Sequence, residues 1–403
     1  MINQIVRHIN MINNIRKVIL GCLLVAGVVS CNKDNVIISD NPELPTEVPD
    51  APELPEPSKE LSDIFSTPSY FYRNTTRYTY AGRKVILTPL IEGDSYEWTV
   101  DGQRSDFNGR SFSFTPDAPG EYIIGVTISG KISGEVKVVC VSTTEQENYR
   151  SGRSTAAMVY EYVPAPGQFI NEDVATMTPD EAGRWAARRL AQGEVVSLGS
   201  FGGYIIVGFD HSINNFLIKG NAFTNKTGAS NEPGIVYVMQ DVNGNGLPDD
   251  EWYELRGSET YKETCLHNYY VTYSRPLQPK SPVDWIDCFG DRGTINYMAS
   301  FHSQDYYYPS WITDDEYTLR GTLVSVESRF EAGQWIISPL ESGYADNTGS
   351  NNDIFYIADA IYSDLTPIDL QYIDFIKVQT GVNGNCGALG ELSTEISKVE
   401  FIN

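Results

Sequence analysis

One short run has residue types and spacing that suit a hard cation. Asp241, Asn243 and Asn245 put oxygen side chains at alternate positions, Gly246 follows, and Leu247, Asp249, Asp250 and Glu251 complete the run. Calcium takes about six to eight oxygen ligands, and short Asp and Asn side chains on a tight loop deliver them, with Gly246 permitting the sharp turn and Leu247 offering its carbonyl. A helix–loop–helix hand needs a Glu at loop position twelve; here Glu251 stands at eleven and Trp252 at twelve. The loop is therefore of a more compact kind, and calcium in it would be structural. The alternative is an Asn-Gly hairpin without metal.

Other constellations are less defined. Asp346 to Asp353 (DNTGSNND) is a second oxygen-rich run, either a cation or ligand loop or a solvated turn. Tyr306, Tyr307, Tyr308 and Trp311, with Trp285, offer flat rings with polar tips that suit a sugar or a large planar ligand. The alternative is that these rings fill a core. The glycines of Ser197–Tyr204 precede no helix, so they lack the setting for phosphate binding and suit close backbone packing instead. His211, His267 and His302 show no metal-ligand spacing, and no G-x-S-x-G accompanies them. The expectation is a chain without catalytic residues, a Ser–His–Asp assembly or other hydrolase being the outside alternative.

Charge and cysteines narrow the partners. Without its first 30 residues the chain carries 26 Lys and Arg against 53 Asp and Glu, a formal charge of −27. That excludes nucleic acid as a partner and excludes electrostatic docking on anionic lipid. No C-x-x-C occurs, which argues against zinc. Cys265 and Cys288 are read either as a disulfide or as two buried thiols.

The elements that must position these residues are mostly strands. Val85–Leu87, Tyr96–Val100, Val195–Leu198, Tyr204–Phe209, Ile235–Met239, Tyr269–Tyr273 and Ile373–Val378 are apolar or alternating segments between turn residues. Asp101-Gly102 signals a hairpin turn. One helix is expected: Thr178-Pro179-Asp180-Glu181 is a capping box with Pro at its first position, Ala182, Trp185, Ala186 and Leu190 share a face, and Gly193 stops it. Asp40–Glu60 holds six prolines among acids, an extended spacer. Val18–Val29 is a 12-residue apolar run after Arg7, Arg16 and Lys17, too short to span a bilayer and suited to a secretory signal.

Several segments carry resemblances. Val28-Val29-Ser30-Cys31 resembles a bacterial lipobox, which implies acylation of Cys31 and a membrane anchor through lipid. Asn32-Lys33-Asp34-Asn35 resembles the surface-export signal of Bacteroidota lipoproteins. YEWTVDG followed by FSFTPDAPGEYIIGVTISG resembles PKD and related immunoglobulin-like domains. The runs SLGSFGGYIIVGFDHSI, SNEPGIVYVMQDVNGNGLPDDEWYELRGSE and YIDFIKVQT resemble a family of Bacteroidota cell-surface lipoproteins, which includes those that capture cobalamin beside a TonB-dependent transporter. The fold expected is all-β: a signal peptide over 1–30, a tether over 31–64, a PKD-like sandwich over 65–148 and a jelly-roll-like sandwich with one short helix over 149–403. The function implied is capture of a small-molecule or glycan nutrient at the outer membrane's outer face, with cobalamin first and carbohydrate binding or adhesion as the alternative.

Overall fold

The computed structural model describes Phe65 and residues 76–142, 158–172, 177–224, 228–300, 302–331, 334–350, 352–387 and 390–402. Cys31, the signal and the tether lie outside the described residues. The fold is all-β, with one α-helix among the described residues. No described helix is long and apolar enough to cross a membrane.

The first core draws on residues from Phe65 to Val138. Its main sheet runs Thr76–Tyr80, Ile132–Val141, Gly120–Ile128, Tyr96–Val100, Gln103–Arg104, and Val85–Leu87 pairs with Phe112–Phe114 beside it. Alternation buries Tyr96 and Trp98 and leaves Glu97 outside. Trp98 is fully buried, stacks on Phe112 at 4.9 Å and donates from Nε1 to the Gly109 carbonyl at 2.9 Å. It is a core residue, and its indole N–H is satisfied as burial demands. Asp101 and Gly102 both take positive φ, 49° and 75°, which lets two residues close the hairpin to Gln103–Arg104.

The second core extends from Val159 to Val399. Its centre is a six-stranded antiparallel sheet in the order Ala360–Ile361, Trp252–Leu255, Gly234–Met239, Ile373–Thr380, Tyr204–Ile213, Met158–Val163. A four-stranded sheet in the order Arg292–Ile295, Val283–Asp287, Leu266–Ser274, Glu316–Leu323 belongs to the same core. The helix Pro179–Gln192 begins and ends where its caps dictate. Thr178 accepts from the Glu181 N–H, Glu181 reaches back to the Thr178 N–H, and Gly193 closes it at φ 72°. Ala182, Gly183, Ala186 and Ala187 are buried; Trp185 and Leu190 pack at the margin of the core.

The disulfide expectation is corrected here. Cys265 and Cys288 are free thiols. Cys288 lies beside Tyr270, to whose carbonyl its N–H donates at 3.0 Å. Cys265 precedes that strand, which begins at Leu266, and is buried in a separate cluster with Ile235, Val324 and Cys386, whereas Cys288 packs against the main core. Burial pushes the Cys265 thiol up to about 12. Dithiothreitol should therefore leave the melting temperature unchanged. Maleimide labelling after unfolding without reductant should modify Cys265 and Cys288 as well as Cys140 and Cys386; protection of any pair would count against this.

Candidate functional site

The 241–250 loop is tightly organised. Gly234–Met239 leads in and Trp252–Leu255 leads out, paired antiparallel. The Asp241 carboxylate accepts the Gly244 and Gly246 N–H groups, both at 2.9 Å. Asn243 accepts the Asn245 N–H at 2.9 Å, and Asn245 accepts the Leu247 N–H at 2.7 Å. Asn243 and Asn245 both donate to Asp249 at 3.0 Å, and Asp250 accepts the Val242 and Asn243 N–H groups. Burial raises the Asp249 and Asp250 carboxyls, and the charges of Asp249 and Asp241 raise Asp250 further. The Asp241 and Asp250 oxygens thus hold the loop's own N–H groups, and these three carboxyls do not converge on one point as the ligands of a bound cation would. Glu251 does not join them. It leaves the loop to meet Arg77 Nε at 3.3 Å, which corrects its place in the oxygen set.

The aromatic cluster is also corrected. Tyr307 and Tyr308 are fully buried and Trp311 nearly so. Tyr307 Oη accepts the Met298 N–H, Tyr308 donates to the Asp314 carbonyl, and Trp311 Nε1 donates to the Tyr162 carbonyl. These rings fill the core, and each polar tip has a partner. Trp285 and Tyr306 are half-buried. Trp285 lies across from Gly293, where any added Cβ would sit 2.3 Å from its ring. The five do not form one exposed platform.

The three histidines do not meet: His267 contacts the Thr260 carbonyl at 2.9 Å and the Thr322 hydroxyl at 3.4 Å, while the other two lie elsewhere. His211 contacts Asp210, and His302 sits between Glu172 at 3.2 Å and Gln168 at 3.1 Å. Of the second oxygen-rich run, only Asp346 joins a wider cluster. Asn347 instead exchanges hydrogen bonds with the Leu340 backbone, both at 2.8 Å, and Thr348 pairs with Ser350. Asn351 lies outside the described residues. Carboxylate oxygens of Glu232, Asp346 and Glu395 all lie within 4.8 Å of one another, within reach of one cation.

Sequence reasoning missed a cleft of about 360 Å³ between the N-terminal sandwich and the central sheet. Val85–Thr88 and Leu90 line it from the sandwich. Register builds the opposite wall: Lys377, Tyr237 and Glu254 stand opposite one another across three adjacent strands and line the cleft, their row continues beyond it through Ile206 and Glu161, and Tyr204 and Gln379 form the next row of the lining. Lys377 Nζ lies 4.1 Å from the Tyr204 ring centre and 5.4 Å from that of Tyr237. Burial brings its ammonium down to about 7, against the opposing charge of Glu161. Glu254 accepts from Thr322 Oγ1 at 2.5 Å, and burial raises its carboxyl. Arg77–Glu251, Arg83–Gln240 at 2.5 Å and Lys84–Asp364 at 2.5 Å tie the sandwich to the sheet. A signal was available: Lys377 and Gln379, two residues apart and so on one face, interrupt Ile373–Thr380, a strand buried at every position.

No protein-family model matches the chain, and no curated protein does. Among solved structures, it is similar to one described as a carbohydrate-binding module of the β-sandwich superfamily, with 10% identity over 81% of this chain and 94% of that one, TM-score 0.13. A quinonprotein alcohol dehydrogenase-like protein from Bacteroides thetaiotaomicron gives 13% identity over 81% and 73%, TM-score 0.16. A calcium-binding mutant of Bacteroides uniformis beta-glucuronidase 2 gives 10% identity over 76% and 29%, TM-score 0.15. None of these scores marks a shared fold.

Proposed function

We propose that this chain is a lipid-anchored protein of the bacterial outer surface that captures a small extracellular nutrient, without turnover, for a TonB-dependent transporter. The carrying observation is the cleft. Its wall gathers Lys377, Gln379, Glu254 and two tyrosines on one face, a few convergent polar groups of the kind that orient a small ligand. Its volume lies in the lower part of the range for small-molecule sites, roughly 300–1,000 Å³. Cobalamin, the ligand implied by the family resemblance, exceeds such a cavity and would need the open rim. Cys31, the acidic spacer and the sandwich then hold the cleft away from the membrane.

Isothermal titration of the purified protein with cyanocobalamin and with a panel of sugars, nucleosides and amino acids tests this. Saturable heat with the ligand recovered unchanged is the expected result. Chemical conversion of a bound ligand would sink the non-enzymatic reading, and silence across the panel would sink capture.

Calcium in the 241–250 loop is proposed as structural. Calcium at about a hundred times its dissociation constant should add about 2.7 kcal/mol, roughly 5–10 °C in melting temperature. Asp241→Asn should abolish that shift; an unchanged melting curve in millimolar calcium would leave the loop metal-free.

A further inference from the structure

We propose that the cleft takes a neutral polyhydroxylated ligand of sugar size, and that Gln379 is the acceptor that orients it. This rests on the capture reading and adds the ligand's chemistry. Gln379 is 1% exposed. Its Nε2 donates to the Gly202 carbonyl at 2.7 Å and to the Arg320 carbonyl at 3.0 Å. Both amide protons are thus committed, and flipping the amide would set its oxygen against two carbonyls. The orientation of Oε1 is fixed, and Oε1 has no hydrogen-bond partner although it is buried in the lining of the cleft. Buried acceptors are normally satisfied, so an orphan on a cavity wall marks where a donor arrives. Gly321 flanks the approach: an added Cβ there would sit 2.2 Å from Oε1.

The neighbours choose the donor's class. Lys377 stands two residues from Gln379 on the same strand face, about 7 Å along it, and Glu254 stands two strands from Lys377 in the same row. An ammonium ligand would satisfy Gln379 and Glu254 but would meet Lys377 and Arg320. A carboxylate would suit Lys377 but would meet Glu254 and the Gln379 oxygen. A hydroxyl both donates and accepts, so several hydroxyls on one neutral frame can serve Gln379 and Glu254 as donors and Lys377 as acceptors. Trp252 also lines the cleft and supplies a fluorescence reporter.

The test titrates the full chain with neutral monosaccharides, their methyl glycosides, neutral oligosaccharides, an amino sugar and a uronic acid, read by tryptophan fluorescence and calorimetry. Saturable binding of a neutral sugar is expected. Gln379→Leu, checked for an unchanged melting curve, should weaken it about tenfold or more. If Gln379→Leu unfolds, monodeoxy analogues of the bound sugar decide on the unaltered chain: loss of the hydroxyl that donates to Gln379 should weaken binding by the same factor, and binding indifferent to every single deletion overturns the proposal. Monosaccharide binding would identify a free sugar as the source; binding by oligosaccharides alone would identify a glycan end. Preference for the amino sugar or the uronic acid overturns the neutral class. Binding indifferent to the folded variant overturns the role of Gln379. Saturation by cyanocobalamin or an amino acid with no sugar bound overturns this inference and leaves capture standing, whereas silence with every ligand overturns both.

Discussion

Raising the pH from 5 to 8 in a buffer containing a chelator is expected to lower the melting temperature by about 10 °C. The cause is a set of buried carboxyls around residues 391–395. Asp346 is 1% exposed and is pushed up to about 7, first by burial and also by the charge of Asp353. Glu391 is pushed up to about 7 by burial, Glu395 to about 8 by burial and the charges of Asp346 and Glu391, and Glu232 upward by burial and the same three neighbours. An acid whose folded-state pKa is raised holds its proton where the unfolded chain has released it. The stabilisation is complete below the unfolded value near 4 and is lost as pH climbs through 7 to 8. One pKa unit is about 1.4 kcal/mol, so between pH 5 and the folded value near 7 Asp346 alone loses about two units, on the order of 3 kcal/mol. In a domain of this size that is about 10 °C. The Asp346 carboxylate keeps three backbone N–H donors, from Asn221, Ala222 and Glu395, which moderates the rise without cancelling burial. Melting curves at pH 5, 6.5 and 8 check it. A melting temperature that is flat, or that rises with pH, would show that the cluster is ionised and compensated in the folded state. Asp346→Asn should flatten the pH response.

What the sequence disclosed follows from the range of each interaction. The helix was legible to the residue because its determinants are local: Thr178, Glu181 and Gly193 act within one turn of the ends they fix. The Asp101-Gly102 hairpin and the burial of Trp98 were legible for the same reason. The compact loop at 241 was legible in its oxygen spacing, but not in the departure of Glu251, because Arg77 reaches it from another part of the chain. The cleft was not legible. Tyr237, Glu254 and Lys377 become neighbours only when three strands pair in one register. The aromatic run failed for a related reason. Three consecutive tyrosines carry no periodicity, so nothing local says which ring turns inward. In the structure Asn171 holds this segment by donating to the Tyr306 and Tyr308 carbonyls at 2.9 and 2.7 Å, and the rings beside it go to the core.

Gly203→Ala is expected to cost on the order of 4 kcal/mol or more, or to prevent folding. An added Cβ at Gly203 would sit 1.8 Å from the Leu198 carbonyl oxygen and 2.3 Å from the Ala165 nitrogen. Both obstacles are backbone atoms, and they are joined to each other by a 3.0 Å hydrogen bond, so no side chain can swing aside. Relief requires breaking that bond and pushing two chain segments apart. The damage would spread. Gly203 accepts the Thr380 N–H at 2.9 Å and immediately precedes Tyr204, while Thr380 follows Gln379, so the displacement starts at the end of the strand pair that carries the cleft wall. Gly246→Ala is the control. Gly246 has φ 79° with nothing within 4 Å of an added Cβ, so only left-handed backbone strain of about 1–2 kcal/mol applies. The contrast between the two isolates steric exclusion from conformational preference. Near-ultraviolet circular dichroism and melting curves report both variants. A Gly203→Ala protein that melts within about 3 °C of the parent, less than 2 kcal/mol, would mean that the segments around Ala165 and Leu198 can separate. The cleft wall would then lack the rigid edge on which a fixed Gln379 depends.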